Sequence, residues 1–167
     1  MLIIVHSEPL ERKLSIENQI MSVINAVKVF EAEKIWIYPN SDTGADIFIR
    51  QIKSYSRQKK DIHFYSHIMR GDFINLLGLA DILVGNSSAG IIESAFFRLP
   101  VINIGLRQDE RERSSNIITV GYQTPLIIRG IKKALSEKFR QRCKLIEQIY
   151  GSGHSGEKIT KILEQVL

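Results

Sequence analysis

One cysteine, Cys143, stands in a chain of 167 residues, so no disulfide framework can form within it. A reducing, cytoplasmic setting is the expectation. Only four prolines and eleven glycines occur, with no fixed period, which excludes a fibrous repeat. No apolar run reaches the roughly 18–20 residues that a membrane-spanning helix needs. The N-terminus, MLIIVHSEPLERK, has no basic segment ahead of its short apolar run, so no secretory signal is read there. The formal charge is only +5, and no Lys/Arg block is longer than three residues. Arg57, Lys59 and Lys60 read as a solvated helix end. Arg107, Arg111 and Arg113 form a second group, without the interleaved aromatics that single-stranded nucleic acids stack on. The four histidines show neither HExxH nor clustered spacing, so no metal is expected. No G-x-G-x-x-G is present, so no dinucleotide cofactor is indicated and none is expected.

What is present is an alternation of short apolar runs with longer amphipathic stretches. Apolar residues make up 44% and charged residues 25%, which suits one globular domain over residues 1–167 and not a disordered chain. Strands are predicted at Leu2–Val5, Ile35–Tyr38, Ile62–Tyr65, Ile82–Val84, Val101–Ile104 and Ile117–Val120. Helical periodicity covers Ile16–Phe30, Ala45–Tyr55, Phe73–Leu79 and Ile91–Phe97. From Pro125 to the C-terminus the pattern is helical, with one break at Gly151-Ser152-Gly153. The strands are continuous apolar runs, as a parallel sheet covered on both faces requires. Their spacing allows a helical crossover between each pair. The fold class is therefore α/β, a Rossmann-like doubly wound parallel sheet. In such a sheet the ligand lies outside the carboxyl ends of the strands.

Polar and glycine residues gather just after those runs. The most informative segment is Gly85-Asn86-Ser87-Ser88-Ala89-Gly90, between a strand and a predicted helix. Its glycines allow close backbone approach, and Ser87 and Ser88 offer hydroxyls where unpaired N–H groups attract anions. A phosphate or pyrophosphate is the natural occupant, although either serine could equally be a plain helix cap. The spacing of the two glycines is superficially that of a Walker A loop, but no Lys-Ser/Thr follows. Glu93, one turn further, could accept two vicinal hydroxyls or simply favour a positive helix end. Arg107 could clamp a phosphate or lie on the surface. His6 ends the first strand at the same edge and could bind phosphate or move a proton. His63 reads as structural, His67 and His154 as surface residues, and Cys143 as an inert thiol.

The stretch RGDFINLLGLADILVGNSSAGIIESAFFRLPVINIGLRQDERERSSN, Arg70–Asn116, closely resembles the C-terminal domain of UDP-N-acetylglucosamine 2-epimerases, especially the hydrolysing type that releases N-acetylmannosamine. PNSDTG after the second strand resembles the family's PN-x-D-x-G, and YGSGHSGEKITKIL resembles its closing segment. The resemblance implies the C-terminal half of a GT-B-type two-domain epimerase. It implies that Ser87, Ser88 and Gly90 hold a pyrophosphate, Glu93 the ribose, and Arg107 a phosphate. Asn40 would lie near the cleft, Phe73 would shape the nucleoside pocket, and His6 would stand at the active site. The implied reaction converts UDP-GlcNAc to ManNAc and UDP in sialic-acid-like sugar synthesis. Its main acid and base carboxylates belong to an N-terminal domain absent from this chain. Alone, the chain is expected to bind UDP or a UDP-sugar weakly and to turn over nothing. A missing N-terminal domain or subunit, and homo-oligomers, are the implied partners, with no nucleic acid or membrane. A non-catalytic nucleotide-sugar-binding module and a GT-B glycosyltransferase donor domain are the alternatives. Three positions differ from the family pattern: Ser7-Glu8 separates His6 from Pro9, Glu110 precedes Arg111, and Ser152 stands where an acidic residue is common.

Overall fold

The computed structural model describes residues 1–57, 59–147, 149–151 and 153–166. Ser152, one of the three departures, lies outside the described residues. Six short strands form one sheet: β1 (Leu2–Ile4), β2 (Lys34–Ile37), β3 (Ile62–Tyr65), β4 (Leu83–Gly85), β5 (Val101–Ile104) and β6 (Ile117–Val120). They are all parallel, in the order β3-β2-β1-β4-β5-β6. Ile3 of β1 sits opposite Trp36 of β2 and Val84 of β4. This is the doubly wound arrangement expected from the apolar runs.

Alternate strand residues face two cores. On one face Ile3, Trp36, Val84 and Ile102 pack beneath α1 (Ile16–Val27), α2 (Ala45–Ser56), α4 (Thr124–Ala134) and α5 (Glu137–Lys144). Ile20, Ile52, Ile131 and Phe139 are among the residues these helices bury there. On the other face Leu2, Ile4, Leu83 and Val101 pack under Leu77 of α3 (Arg70–Leu79) and under Leu99. Each such side chain withdraws enough apolar surface to contribute about 1.5–3 kcal/mol. Local signals start the helices: Ser15 Oγ accepts from Asn18 N–H at 3.2 Å at α1, and Pro125 lies in the first turn of α4. Lys34 is buried in β2, where its ammonium donates to Asp61 at 2.6 Å and to the Ala32 carbonyl at 2.9 Å. That hydrogen bond holds the Asp61 carboxyl below its usual range.

Two expectations change. Ile91–Phe97 is not an α-helix: a 3-10 turn at Ser88–Gly90 leads into irregular turns that run to Arg98. Ser94 Oγ donates to the Gly90 carbonyl at 2.7 Å, and Asn116, from a distant loop, donates to Ser94 Oγ and to the Leu99 carbonyl. The Ser94 hydroxyl takes the Gly90 carbonyl, the Ser94 N–H turns instead to the Ala89 carbonyl at 3.0 Å, and the Phe96 N–H to the Glu93 carbonyl at 3.0 Å, so the regular helical register is lost. The C-terminal region is also more broken than its periodicity suggests. It contains α4, α5 and α6 (Ser155–Val166), with Ser136 capping α5. No residue of α6 is buried. Among the described residues no helix is long and apolar enough to cross a membrane.

Candidate functional site

The strand order places β1 beside β4, and the chain leaves them toward opposite faces of the sheet. The crevice at their carboxyl ends is the place where such sheets bind ligands. A cavity of about 360 Å³ opens there. Six of the residues singled out in the sequence line it: His6, Asn40, Phe73, Ser87, Ser88 and Arg107. A second, larger cavity of about 710 Å³ adjoins it and shares Arg107. It contains Ser7, Glu8, Glu11 and Asp42.

Two other expected site residues stand apart from this lining. Gly90 is buried, and an added Cβ would press on Leu83 and Val101 at 3.1 and 3.2 Å, so the glycine lets the turn lie close to the sheet. Glu93 is half-buried and accepts from Arg70, the first residue of α3, at 3.2 Å. It does not sit in the first turn of a helix, because that helix is absent. Ser87 Oγ accepts from Ala89 N–H at 3.4 Å, a capping contact on the short turn. Arg107 donates to Asp42 at 2.9 Å across the boundary between the two cavities.

His6 is almost fully enclosed. Its Nδ1 accepts the Asn40 backbone N–H at 2.9 Å, so the neutral ring carries its proton on Nε2. Burial lowers its pKa to about 4, and the neighbouring Arg107 guanidinium pushes in the same direction. At neutral pH the ring is therefore an uncharged hydrogen-bond donor. His63 is exposed and meets Glu33 at 2.7 Å, and His67 and His154 are exposed. Cys143 is buried, and burial raises its pKa.

The sequence reading missed the polar network beneath the cavity. Asn86, fully buried, accepts His6 N–H at 2.7 Å and donates to the His6 carbonyl at 2.9 Å, which clips β1 to β4. Its amide also donates to Glu8 at 3.0 Å. Tyr122 and the Leu106 N–H donate to the same carboxylate, at 2.8 and 3.1 Å. Burial, and after it the neighbouring Glu8 carboxylate, push the Tyr122 hydroxyl far above its ordinary pKa. Glu8 and Asn86 lie in the strand-end segments, but nothing local distinguishes them from their neighbours. Tyr122 follows β6, a strand end whose following residues held no other signal.

A Rossmann-like domain with a polar crevice at its switch point is thus the class of protein that fold and site define. The family described as UDP-N-acetylglucosamine 2-epimerase matches residues 1–164, and the chain belongs to that family. A UDP-N,N'-diacetylbacillosamine 2-epimerase (hydrolyzing) from Legionella pneumophila is 37% identical over 152 residues, which are 91% of this chain and 39% of that protein. A UDP-N-acetylglucosamine 2-epimerase from Neisseria meningitidis is 40% identical over 102 residues, covering 61% of this chain and 26% of that protein. The Methanocaldococcus jannaschii UDP-GlcNAc 2-epimerase, solved in complex with UDP-GlcNAc and UDP, superposes with a TM-score of 0.75 at 18% identity. That match covers 98% of this chain and 44% of that one, and it shows the shared fold. The chain spans about two-fifths of the length of the Legionella relative.

Proposed function

We propose that this chain is the nucleotide-binding half of a hydrolysing UDP-N-acetylglucosamine 2-epimerase. The observation that carries this reading is the convergence of His6, Asn40, Ser87, Ser88 and Arg107 on one switch-point cavity in a member of that family. The Ser87 and Ser88 hydroxyls and the His6 Nε2–H donate to the diphosphate, and Arg107 leaves Asp42 to neutralise it. Phe73 packs beside the nucleoside. Glu93 accepts the ribose hydroxyls in place of its bond to Arg70. Gly90 supports this surface through its close packing on the sheet.

In the reaction, the C2 proton of UDP-GlcNAc leaves with UDP to give a 2-acetamidoglucal intermediate. Water then adds across the double bond with inversion at C2, releasing ManNAc. This half of the site takes the leaving group: cationic Arg107 and neutral donors meet the charge that grows on the diphosphate as the bond to C1 breaks. On this reading the acid and base carboxylates come from a further domain, and this chain alone is expected to bind nucleotide without turnover. The product enters the synthesis of sialic-acid-like sugars, in the cytoplasm.

Calorimetric titration with UDP, UDP-GlcNAc, UDP-N,N'-diacetylbacillosamine and GDP tests the reading. UDP is expected to bind, Arg107→Ala to weaken it by about 1.5–3 kcal/mol, and Glu93→Gln by about 1–3 kcal/mol. Equal affinity of wild type and Arg107→Ala for UDP would remove the phosphate role. Preference for GDP would keep the grip and change the base. The Legionella relative's name makes the diacetamido sugar the principal alternative substrate.

A further inference from the structure

We propose that Glu8, which does not line the nucleotide cavity, is the positioning residue that sets both His6 and Arg107. The inference rests on the nucleotide-binding reading of that cavity. The Glu8 carboxylate is buried and receives donors from three separate parts of the chain. One oxygen accepts from the Asn86 amide at 3.0 Å and from the Tyr122 hydroxyl at 2.8 Å. The other accepts the Leu106 N–H at 3.1 Å. Its own backbone is fixed by Gln19, whose side chain accepts Glu8 N–H and donates to the Glu8 carbonyl, both at 3.0 Å.

A carboxylate can only accept. It therefore dictates that the NH2 side of Asn86 faces Glu8, which leaves the Asn86 oxygen to receive the His6 N–H. The end of β1 is held there, and the His6 ring meets the Asn40 N–H from that position. The second oxygen anchors the residue immediately before Arg107, so the arginine leaves the sheet from a fixed point. Gly105, at φ +76°, makes the arrangement feasible, because a Cβ there would overlap the Glu8 carboxylate. One buried carboxylate thus bears on both His6 and Arg107, which line the same crevice.

Glutamine at this position cannot replace it. With one acceptor and one donor end, it must set an NH2 against either the Asn86 amide or the Leu106 N–H. The test is Glu8→Gln in the full chain, with UDP titration, thermal unfolding, and NMR of the His6 ring nitrogens and the Arg107 Nε–H. UDP affinity is expected to fall by about tenfold in Glu8→Gln. It should fall less when the same change is made in an Arg107→Ala background, because part of the effect runs through that side chain. Tyr122→Phe removes one donor but keeps the carboxylate and its other two contacts, so it should lower stability while holding UDP affinity within about twofold. If Glu8→Gln does not fold, Gly105→Ala displaces the same carboxylate and should give the same affinity loss.

Unchanged UDP affinity in Glu8→Gln, full additivity with Arg107→Ala, or an equal affinity loss in Tyr122→Phe would each overturn the proposal while leaving the nucleotide reading intact. If wild type binds no UDP, the nucleotide reading itself fails. The positioning claim is then decided on the ligand-free spectra. Shifted His6 and Arg107 signals in Glu8→Gln support it, and unshifted ones overturn it.

Discussion

The ring Nδ1 of His6 accepts the backbone N–H of Asn40 at 2.9 Å, tying the end of β1 to the turn that follows β2. This bond forms only with the ring deprotonated at Nδ1, so protonation of His6 breaks it. The folded pKa of about 4 lies below the ordinary 6.5, which means the unfolded chain binds the proton first as pH falls. Stability from His6 is therefore present above pH 6.5 and is lost between pH 6.5 and 4, on the order of 3 kcal/mol in all. Urea unfolding across that range should show the loss in wild type and a flatter profile in His6→Ala. Added UDP places negative charge beside the ring and should raise the His6 pKa, as read by NMR titration.

Asp42 and the diphosphate compete for the same guanidinium. The Asp42–Arg107 pair is only partly buried, so its own contribution is modest, about 0.5–1 kcal/mol. Asp42→Asn should accordingly tighten UDP binding by up to about fivefold, the opposite sign to Arg107→Ala. Calorimetry on the two variants decides this, and weaker binding by Asp42→Asn would show that Asp42 orients the arginine instead of restraining it.

Asn86→Asp would set a second carboxylate against Glu8 and turn an acceptor toward the His6 carbonyl, both within a fully buried site. At pH 7 the cost should be about 3–5 kcal/mol. The new carboxyl, its pKa raised by burial and by Glu8, takes up a proton in the folded state before the unfolded one. The deficit relative to wild type should then narrow as pH falls from 7 to 5. Differential scanning calorimetry at the two pH values reads the change directly.

Removal of α6 should cost little stability, because none of its residues is buried. Its apolar side chains Ile159, Ile162, Leu163 and Val166 all face solvent. A chain ending at Tyr150 keeps the Tyr150 hydroxyl bond to the Glu112 carbonyl. Its unfolding temperature should stay within about 2 °C of the full chain, and a larger fall would mean that α6 packs on the body.

Much of the layer structure was legible from the chain alone. Ile62–Tyr65, Val101–Ile104 and Ile117–Val120 are strands at the expected residues, and α1 and α2 start where their apolar stripes begin. Burial in a two-faced sheet imposes a periodicity that only nearby residues need satisfy, so it leaves a local trace. The cleft residues His6, Asn40, Ser87, Ser88 and Arg107 were found for the same reason, since each follows a strand and strand ends are visible locally. Ile91–Phe97 shows the limit of that method. Its apolar spacing suits a helix, yet the Ser94 N–H bonds the Ala89 carbonyl, out of helical register, and the Ser94 hydroxyl is held by Asn116, 22 residues further on.

What the sequence by itself determined is the α/β class, the strand positions and the edge on which polar residues collect. The order of the strands, and with it the meeting of His6 with Asn86 across 80 residues, came only with the tertiary structure. So did the role of Glu8, whose side-chain donors lie 78 and 114 residues away. The physical reason is that apolar burial is a property of each segment, whereas a buried polar group is satisfied by whichever donors the topology brings to it. Those partners are fixed by chain crossings, which leave no periodicity to read.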